Sequence, residues 1–144
     1  MIKTFAERIA MMNAMYRLPA NDSPTLLPDV ASRLCKFQNT LSAEVREIED
    51  IVNEVVAEKP PIDSLVAISD LLADVIVYCR SEALKYGIPL EEVLDIVMDS
   101  NESKLDNDGN PIYNEDGKFL KGPNYWKPEP KIKELLEQRM ACKS

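Results

Sequence analysis

Two carboxylates, Asp70 and Asp74, lie inside an apolar stretch at residues 65–84. The stretch contains no glycine or proline and is apolar on nearly every side, so it is predicted to be a central, buried helix. Residues four apart on a helix share a face, where two like charges repel each other. Unpaired buried charge is costly, so a metal ion is the simplest partner for this face. The alternative is an exposed strip on which the carboxylates pair with Lys85 or Arg80.

A second acidic pair, Glu44 and Glu47, belongs to the preceding predicted helix, residues 29–58, and also shares a face. In isolation, such a pair is explained by a solvated acidic surface. The connection at residues 60–61 is short, however, and favours antiparallel packing of the two helices. Glu47 and Asp74 are about equally distant from that connection. We therefore expect four carboxylates from two facing helices to converge.

The composition limits the chemistry that this site can perform. The 144 residues include no histidine, which excludes Ser-His-Asp and Cys-His catalysis and histidine-containing zinc sites. The three scattered cysteines do not form a zinc cage and indicate a reduced, cytoplasmic protein. Oxygen ligands favour Mg²⁺, Mn²⁺ or Ca²⁺. Mg²⁺ is the expected ion because it usually keeps several waters and recruits substrate phosphates.

The net charge of −8 argues against binding to a nucleic-acid polymer or to an anionic membrane surface. No apolar run has the length of a transmembrane helix, and no secretory leader is recognisable. A small phosphorylated substrate is still compatible with this charge, because a divalent cation can bridge two anions. A nucleotide is one such substrate.

The elements that must position these residues are mostly helical. The predicted helices lie at about residues 2–16, 29–58, 63–87, 89–105 and 130–140. Asp63 and Ser64 are predicted to cap the third helix. A β-hairpin is predicted where two short apolar pairs flank the turn at residues 114–117. The predicted fold is a single all-α domain over residues 1–144, a bundle of four to five helices with a small C-terminal hairpin.

Three further polar side chains and one aromatic ring are candidates for binding a substrate. Asn101 and Lys104 are three apart near the end of the fourth helix, and Lys104 and Lys121 could contact phosphate or sugar oxygens. The alternatives are a helix-end hydrogen bond for Asn101 and a cation that stabilises a helix C-terminus for Lys104. Tyr125 could stack on a base or anchor its loop to the core.

Several motifs together carry a family resemblance. They are Glu44-x-x-Glu47, Asp70-Leu-Leu-Ala-Asp74, Ser100-Asn-Glu-Ser-Lys104 and Gly117-Lys-Phe-Leu-Lys-Gly-Pro-Asn-Tyr125. With them the chain resembles the all-α nucleotide pyrophosphohydrolases, the MazG-like and phosphoribosyl-ATP pyrophosphohydrolase-like superfamily, from about residue 24 to residue 128. The resemblance implies a helical bundle that assembles as a dimer or tetramer. It also implies hydrolysis between the α and β phosphates of a nucleotide, which gives a monophosphate and pyrophosphate.

The resemblance also implies a role for each candidate. Glu44, Glu47 and Asp74 would bind Mg²⁺, and Asp70 would be a ligand or a partner of the ligands. The implied substrate contacts are Asn101, Lys104, Lys121 and Tyr125. Glu44 or Glu47 could take the proton of a metal-bound water, because metal ions lower the pKa of such a water.

Two positions depart from the family pattern, and two other functions stay open. Ala43 and Leu71 stand where many members carry Glu, and Asp70 is expected to compensate for Leu71. The other functions are a non-catalytic helical module that binds nucleotides or a partner protein, and phosphoribosyl-ATP hydrolysis. A homo-oligomer, most simply a dimer, is expected on physical grounds too, because one short terminal helix cannot cover four apolar helices.

Overall fold

Five helices account for most of residues 1–142, the part of the chain that the computed structural model describes. They are α1 (Phe5–Met15), α2 (Val30–Val56), α3 (Pro61–Lys85), α4 (Leu90–Glu102) and α5 (Glu129–Ala141). Two short strands, β1 (Ile112–Tyr113) and β2 (Phe119–Leu120), form an antiparallel pair. The predicted all-α fold with a small C-terminal hairpin is thereby confirmed. Over the same residues, no helix is both long enough and apolar enough to cross a membrane.

Local chemistry sets the start of α1 and the end of α2. The Thr4 hydroxyl accepts the backbone N–H of Glu7 at 3.2 Å, and the Glu7 carboxylate accepts the Thr4 N–H at 2.6 Å. This reciprocal cap satisfies two backbone donors that the helix cannot. At the end of α2, Glu58 adopts a φ of 56°, and the N–H groups of residues 58 and 59 donate back into the last helical turn. This left-handed residue ends α2 and directs the chain towards α3.

The start of α3 differs from the prediction. Asp63 and Ser64 do not cap the helix, because α3 already begins at Pro61. Proline suits the first helical position, since its φ is fixed near the helical value and its missing N–H has no intrahelical partner there. Asp63 lies within the first turn, where its carboxylate is stabilised by the positive end of the helix dipole.

The contacts divide the chain into two compact units, Met1–Gly87 and a second unit that begins at Ile88. In the first unit, α3 packs against both α1 and α2. In the second unit, α4 packs against α5, and β1 pairs with β2. The prediction of a single domain over residues 1–144 stays a prediction, and its last two residues lie outside the described range.

A buried polar network joins α1 to α3 in the first unit. The Asn13 side chain is fully buried. Its Nδ2 donates to the carbonyl oxygens of Pro19 and Ser81, each at 3.3 Å, and its Oδ1 accepts the Ser81 hydroxyl at 2.6 Å. Because each polar atom of the amide is paired, this network stabilises one relative position of the two helices.

The prediction of a buried α3 is wrong for much of the helix. Leu72 and Ile76 are 55% and 59% exposed. Its buried residues lie near its two ends: Ser64, Ser81, Glu82 and Ala83. The reason is geometric, since α1 and α2 cover only part of the circumference of α3 in the described chain. The apolar residues on the remaining side face outward.

The second unit contains the predicted hairpin. Tyr113 lies opposite Phe119, and their ring centroids are 5.7 Å apart. The Asn114 Oδ1 accepts the backbone N–H groups of residues 116 and 118 at 3.0 and 2.8 Å. Gly117 adopts a φ of 78°, which suits a residue without Cβ. The turn is therefore specified by its own side chains.

Candidate functional site

Glu44 is a buried carboxylate in the middle of α2. It is 7% exposed. Its Oε2 has no hydrogen-bond partner among residues 1–142. A buried charged oxygen without a partner is costly, and native structures rarely tolerate one unless it has a function. Glu44 is therefore suited to bind a cation or to accept a hydrogen bond from a bound molecule.

Two further carboxylates act on Glu44. Burial raises the pKa of the Glu44 carboxyl, and the negative charges of Glu47 and Asp74 raise it further. Glu47 lies one turn along α2, and α3 brings Asp74 from the facing helix. The structure thus brings together one residue pair from α2 and one residue from α3, as expected for antiparallel neighbours with a short connection.

Tyr78 completes the cluster and was missed from the sequence. Its hydroxyl is within hydrogen-bonding range of the Glu44 carboxyl, and this contact partly offsets the rise in the pKa of Glu44. Burial raises the pKa of the Tyr78 phenol, and the charges of Glu44 and Asp74 add to the rise. The phenol therefore stays protonated, with its hydroxyl close to the Glu44 carboxyl. Its position four residues after Asp74, on the same face of α3, was the available signal.

Asp70 lies one turn before Asp74 on α3. It is exposed, and the charges that raise the pKa of Glu44 come from Glu47 and Asp74. Lys85, one suggested partner for an exposed Asp70, instead donates to Glu82 at 2.6 Å. The role of Asp70 as a ligand, or as a partner of the ligands, stays a prediction.

Whether this cluster could bind a metal ion depends on which ligand atoms it offers. No group of three or more acidic or cysteine side chains within the described part of the chain is already arranged to hold an ion. The available donors are nevertheless carboxylate oxygens, one of them buried and without a partner. Hard divalent cations prefer such ligands. Glu44, Glu47 and Asp74 are the residues that could hold Mg²⁺ or Mn²⁺.

Three of the four predicted substrate-binding residues lie together in the second unit. The Lys104 Nζ lies 5.7 Å from the centroid of the Phe119 ring. The Lys121 Nζ lies 4.9 Å from the centroid of the Tyr125 ring. A lysine over an aromatic face is stabilised by the ring quadrupole. These two ammonium groups are therefore positioned by their own unit.

A close backbone approach joins the two lysine-bearing segments. The Gly122 N–H donates to the Lys104 carbonyl at 2.7 Å. A Cβ at Gly122 would lie 2.3 Å from the Leu105 carbonyl oxygen, so no other residue fits without a shift of the loop. Asn101, the fourth predicted residue, is exposed near the end of α4, and its carbonyl accepts the Lys104 N–H at 3.2 Å.

The fold and the cluster define a class, an all-α protein with carboxylates gathered between two neighbouring helices. A crystal structure from Exiguobacterium sp. 255-15, described as a "putative NTP pyrophosphohydrolase", is similar to this chain. The TM-score is 0.55 at 20% sequence identity, over 99% of this chain and 100% of that chain. At this identity the likeness shows a shared fold. No family model and no curated protein sequence matches the chain.

Proposed function

We propose that this protein is a Mg²⁺-dependent nucleoside triphosphate pyrophosphohydrolase that cleaves between the α and β phosphates. The observation that carries the proposal is the buried Glu44, whose Oε2 has no partner in the described chain and whose neighbours are Glu47 and Asp74. The description of the Exiguobacterium protein as an NTP pyrophosphohydrolase supports the same activity through the shared fold. The products would be a nucleoside monophosphate and pyrophosphate.

Each residue of the cluster has a task in this proposal. Glu44, Glu47 and Asp74 would hold Mg²⁺, or Mn²⁺ in its place, and Asp70 would support them. A bound divalent cation neutralises phosphate charge and lowers the pKa of a coordinated water. Glu44 or Glu47 would take a proton from the attacking water, and a raised pKa makes the Glu44 carboxylate a stronger base at neutral pH. The Tyr78 hydroxyl would orient Glu44 by donating to it.

The second unit would contribute contacts to the substrate. Lys104 and Lys121 would bind phosphate or sugar oxygens as point charges. Asn101 would donate or accept a hydrogen bond through its exposed amide, and Tyr125 would present its hydroxyl beside Lys121. The aromatic rings beneath the two lysines would restrict these side chains before the substrate binds. Less side-chain entropy would then be lost on binding.

The test is a panel of ribo- and deoxyribonucleoside triphosphates incubated with the protein and Mg²⁺ or Mn²⁺. Chromatography that separates monophosphate, diphosphate, phosphate and pyrophosphate identifies the bond that breaks. We expect a monophosphate and pyrophosphate in equal amounts, and no product when a chelator is present. A diphosphate and phosphate would contradict the cleavage position. Absence of turnover of every nucleotide at micromolar protein would contradict the activity.

A second copy of the chain is the proposed cover for the outer faces of α2 and α3. Val45, Ile48, Val52 and Val55 are spaced three and four apart on α2 and are 46–62% exposed. Leu65, Ile68, Leu72 and Ile76 repeat this spacing on α3 and are 39–59% exposed. Apolar stripes on adjacent helices are typical of an interface rather than of a monomer surface. We therefore propose a homodimer, or a tetramer built from such dimers.

Light scattering after size exclusion measures this assembly directly. We expect a mass of at least two chains for the unmodified protein. Leu72→Glu should reduce it to one chain, because a carboxylate in the stripe would be buried without a partner. Leu26→Glu is the control, since Leu26 is 76% exposed in a loop outside both stripes. A monomeric mass for the unmodified protein would contradict the proposal.

A further inference from the structure

A cavity of about 460 Å³ lies between α1, α2 and α3 in the first unit. Its wall is largely apolar and includes Met12 from α1, Phe37 from α2 and Val77 from α3. The polar groups that reach it include Thr40, Tyr78 and Glu82. Small-molecule sites have this size and this combination of an apolar wall with a few convergent polar groups.

Glu82 is an unusual side chain to find in that wall. It is 8% exposed, and its Oε1 accepts the Lys85 ammonium at 2.6 Å. Its Oε2 is buried and has no hydrogen-bond partner among the described residues. An unsatisfied buried carboxylate oxygen is costly. A ligand in the cavity could supply the donor that this oxygen lacks among the described residues.

At the position of the Glu82 Oε2, an uncharged donor is favoured over a phosphate group. Arg33, Lys36 and Lys85 also line the cavity, and of these Arg33 pairs with Asp29 at 2.8 Å and Lys85 with Glu82. A phosphate oxygen placed beside the Glu82 Oε2 would meet a like charge. An N–H group on a flat, largely apolar ring would both satisfy that oxygen and fill the apolar wall. A nucleobase has this chemistry.

The cavity also adjoins the carboxylate cluster. Tyr78 lines the cavity, and its hydroxyl reaches Glu44. Thr40, which lines the cavity too, lies one turn before Glu44 on α2, about 6 Å along the helix axis. A ligand whose ring occupies the cavity would therefore direct its 5′ phosphate towards Glu44, Glu47 and Asp74.

We propose that this cavity is the nucleoside pocket of the protein and that the Glu82 Oε2 accepts a hydrogen bond from an N–H group on the edge of the base. The inference rests on the proposed pyrophosphohydrolase function, because it assigns the nucleoside part of the same substrate. It makes Glu82 a residue that determines affinity for the base. It assigns no step of the hydrolysis to that residue.

The test measures binding without hydrolysis. Nucleoside 5′-monophosphates and ribose 5-phosphate are titrated into the protein in the presence of a chelator, and ligand-observed NMR gives the dissociation constants. We expect at least one monophosphate to bind, and Glu82→Gln to weaken it about tenfold or more, because hydrogen bonds to charged groups are among the stronger ones. Ribose 5-phosphate, which has no base, should bind more weakly and be unaffected by Glu82→Gln.

Lys85→Met is the matched variant. It breaks the same ion pair but keeps the Glu82 acceptor, so we expect it to weaken monophosphate binding less than Glu82→Gln does. Equal weakening by the two variants would overturn the inference, because loss of the ion pair would then explain both. So would equal losses for ribose 5-phosphate, or no monophosphate binding at millimolar concentration. Circular dichroism checks that each variant folds.

The outcome is separable from the nucleotide panel assay. If nucleotides are hydrolysed but Glu82→Gln changes the KM for no base, the pocket assignment fails and the enzyme assignment stands. If monophosphates bind in a way that depends on Glu82 but no triphosphate is hydrolysed, the pocket assignment stands and the enzyme assignment fails.

Discussion

The two units of the chain differ in the environment of their charged side chains. In the first unit, Glu44 and Glu82 are buried, and each leaves one carboxylate oxygen without a partner in the described chain. In the second unit, Lys104 and Lys121 lie over the aromatic rings of Phe119 and Tyr125. The first unit therefore contains unsatisfied buried oxygens, while the second holds two of its lysines over its own aromatic rings.

This difference points to the first unit as the location of the functional site. Sequences that specify a fold usually satisfy their buried polar groups, and exceptions tend to occur at functional sites. The two unpaired carboxylate oxygens of the first unit are such exceptions, and both lie on helices that pack against each other. The second unit holds the ammonium groups of Lys104 and Lys121 in positions that its own aromatic rings stabilise.

The largest expected effect comes from Asp74, in the first unit. Asp74→Asn keeps the size of the side chain but removes a charge that acts on Glu44. We expect hydrolysis to fall about a thousandfold, as for loss of a ligand that positions a catalytic metal. Release of pyrophosphate at saturating Mg²⁺ measures this.

Asp70→Asn is the matched control, since Asp70 lies one turn away on the same helix and is exposed. We expect less than about a tenfold loss, seen mainly as a higher Mg²⁺ requirement. Equal losses for the two variants would place Asp70 inside the metal site and would remove the distinction drawn between them.

The next largest effect concerns backbone stability. Gly87 in the first unit and Gly117 in the second both have a positive φ, 64° and 78°. A Cβ at Gly87 would lie 2.1 Å from the Ser23 carbonyl oxygen, whereas nothing lies within 4 Å of one at Gly117. Gly117→Ala should lower the free energy of unfolding by about 1 kcal/mol through strain alone.

Gly87→Ala adds a steric clash to the same strain, and we expect it to lower the free energy of unfolding by about 3 kcal/mol. Urea denaturation followed by circular dichroism compares the two variants. Similar losses would mean that the loop around Ser23 moves aside easily, and that the first unit is no more rigid at this point than the hairpin turn.

A smaller effect is expected from the cations of the second unit. Lys121→Met keeps the side-chain length and its packing on Tyr125 but removes the charge. If Lys121 contacts the substrate, KM should rise about tenfold with little change in kcat. Lys118→Met is the control, because Lys118 is an exposed lysine of the hairpin turn. Unchanged KM for Lys121→Met would remove Lys121 from the proposed substrate contacts.

The smallest effect is a pH-dependent change in stability without metal. Because the pKa of Glu44 is raised in the folded protein, the contribution of Glu44 to stability is greatest below the ordinary value of 4.5 and is lost as pH rises through the raised pKa. Glu44→Gln should therefore raise the melting temperature in a chelator at neutral pH. The difference from the unmodified protein should disappear in acid.

Asp29→Asn, at the N-cap of the same helix, should change stability in the opposite direction. The hydrogen bond from Arg33 lowers the pKa of Asp29, so its contribution to stability is present above the ordinary value of 3.8 and is lost as pH falls. This substitution should lower the melting temperature at neutral pH and have no effect in acid. Shifts of the same sign for the two variants would contradict the electrostatic account of the Glu44 cluster.

Much of the fold was predictable because its signals are local. The hairpin is specified by Asn114, whose side chain binds two backbone N–H groups, and by Gly117 at a positive φ. The spacing of apolar residues on α2 predicted a long helix. The start of α3 was mispredicted because both Pro61 and the Asp63-Ser64 pair are valid start signals, and the first of them prevailed.

The site was predictable in part. Glu44, Glu47 and Asp74 were expected together because two antiparallel helices with a short connection bring equidistant residues opposite each other. Tyr78 and Glu82 were not expected, although they continue the face of Asp74 at intervals of four residues. Their importance comes from burial and from missing partners, which depend on what α1 and α2 cover.

The sequence by itself determined the kind of chemistry available, since a chain without histidine but with paired acidic residues on two helices offers oxygen ligands for a hard cation. It also determined the helices and the hairpin, whose signals lie within a few residues of each other. Only the tertiary structure decided which carboxylates meet and which oxygens stay unpaired. It also decided that the central part of α3 is exposed. Burial is a property of contacts between distant segments, and residue spacing along one helix does not specify it.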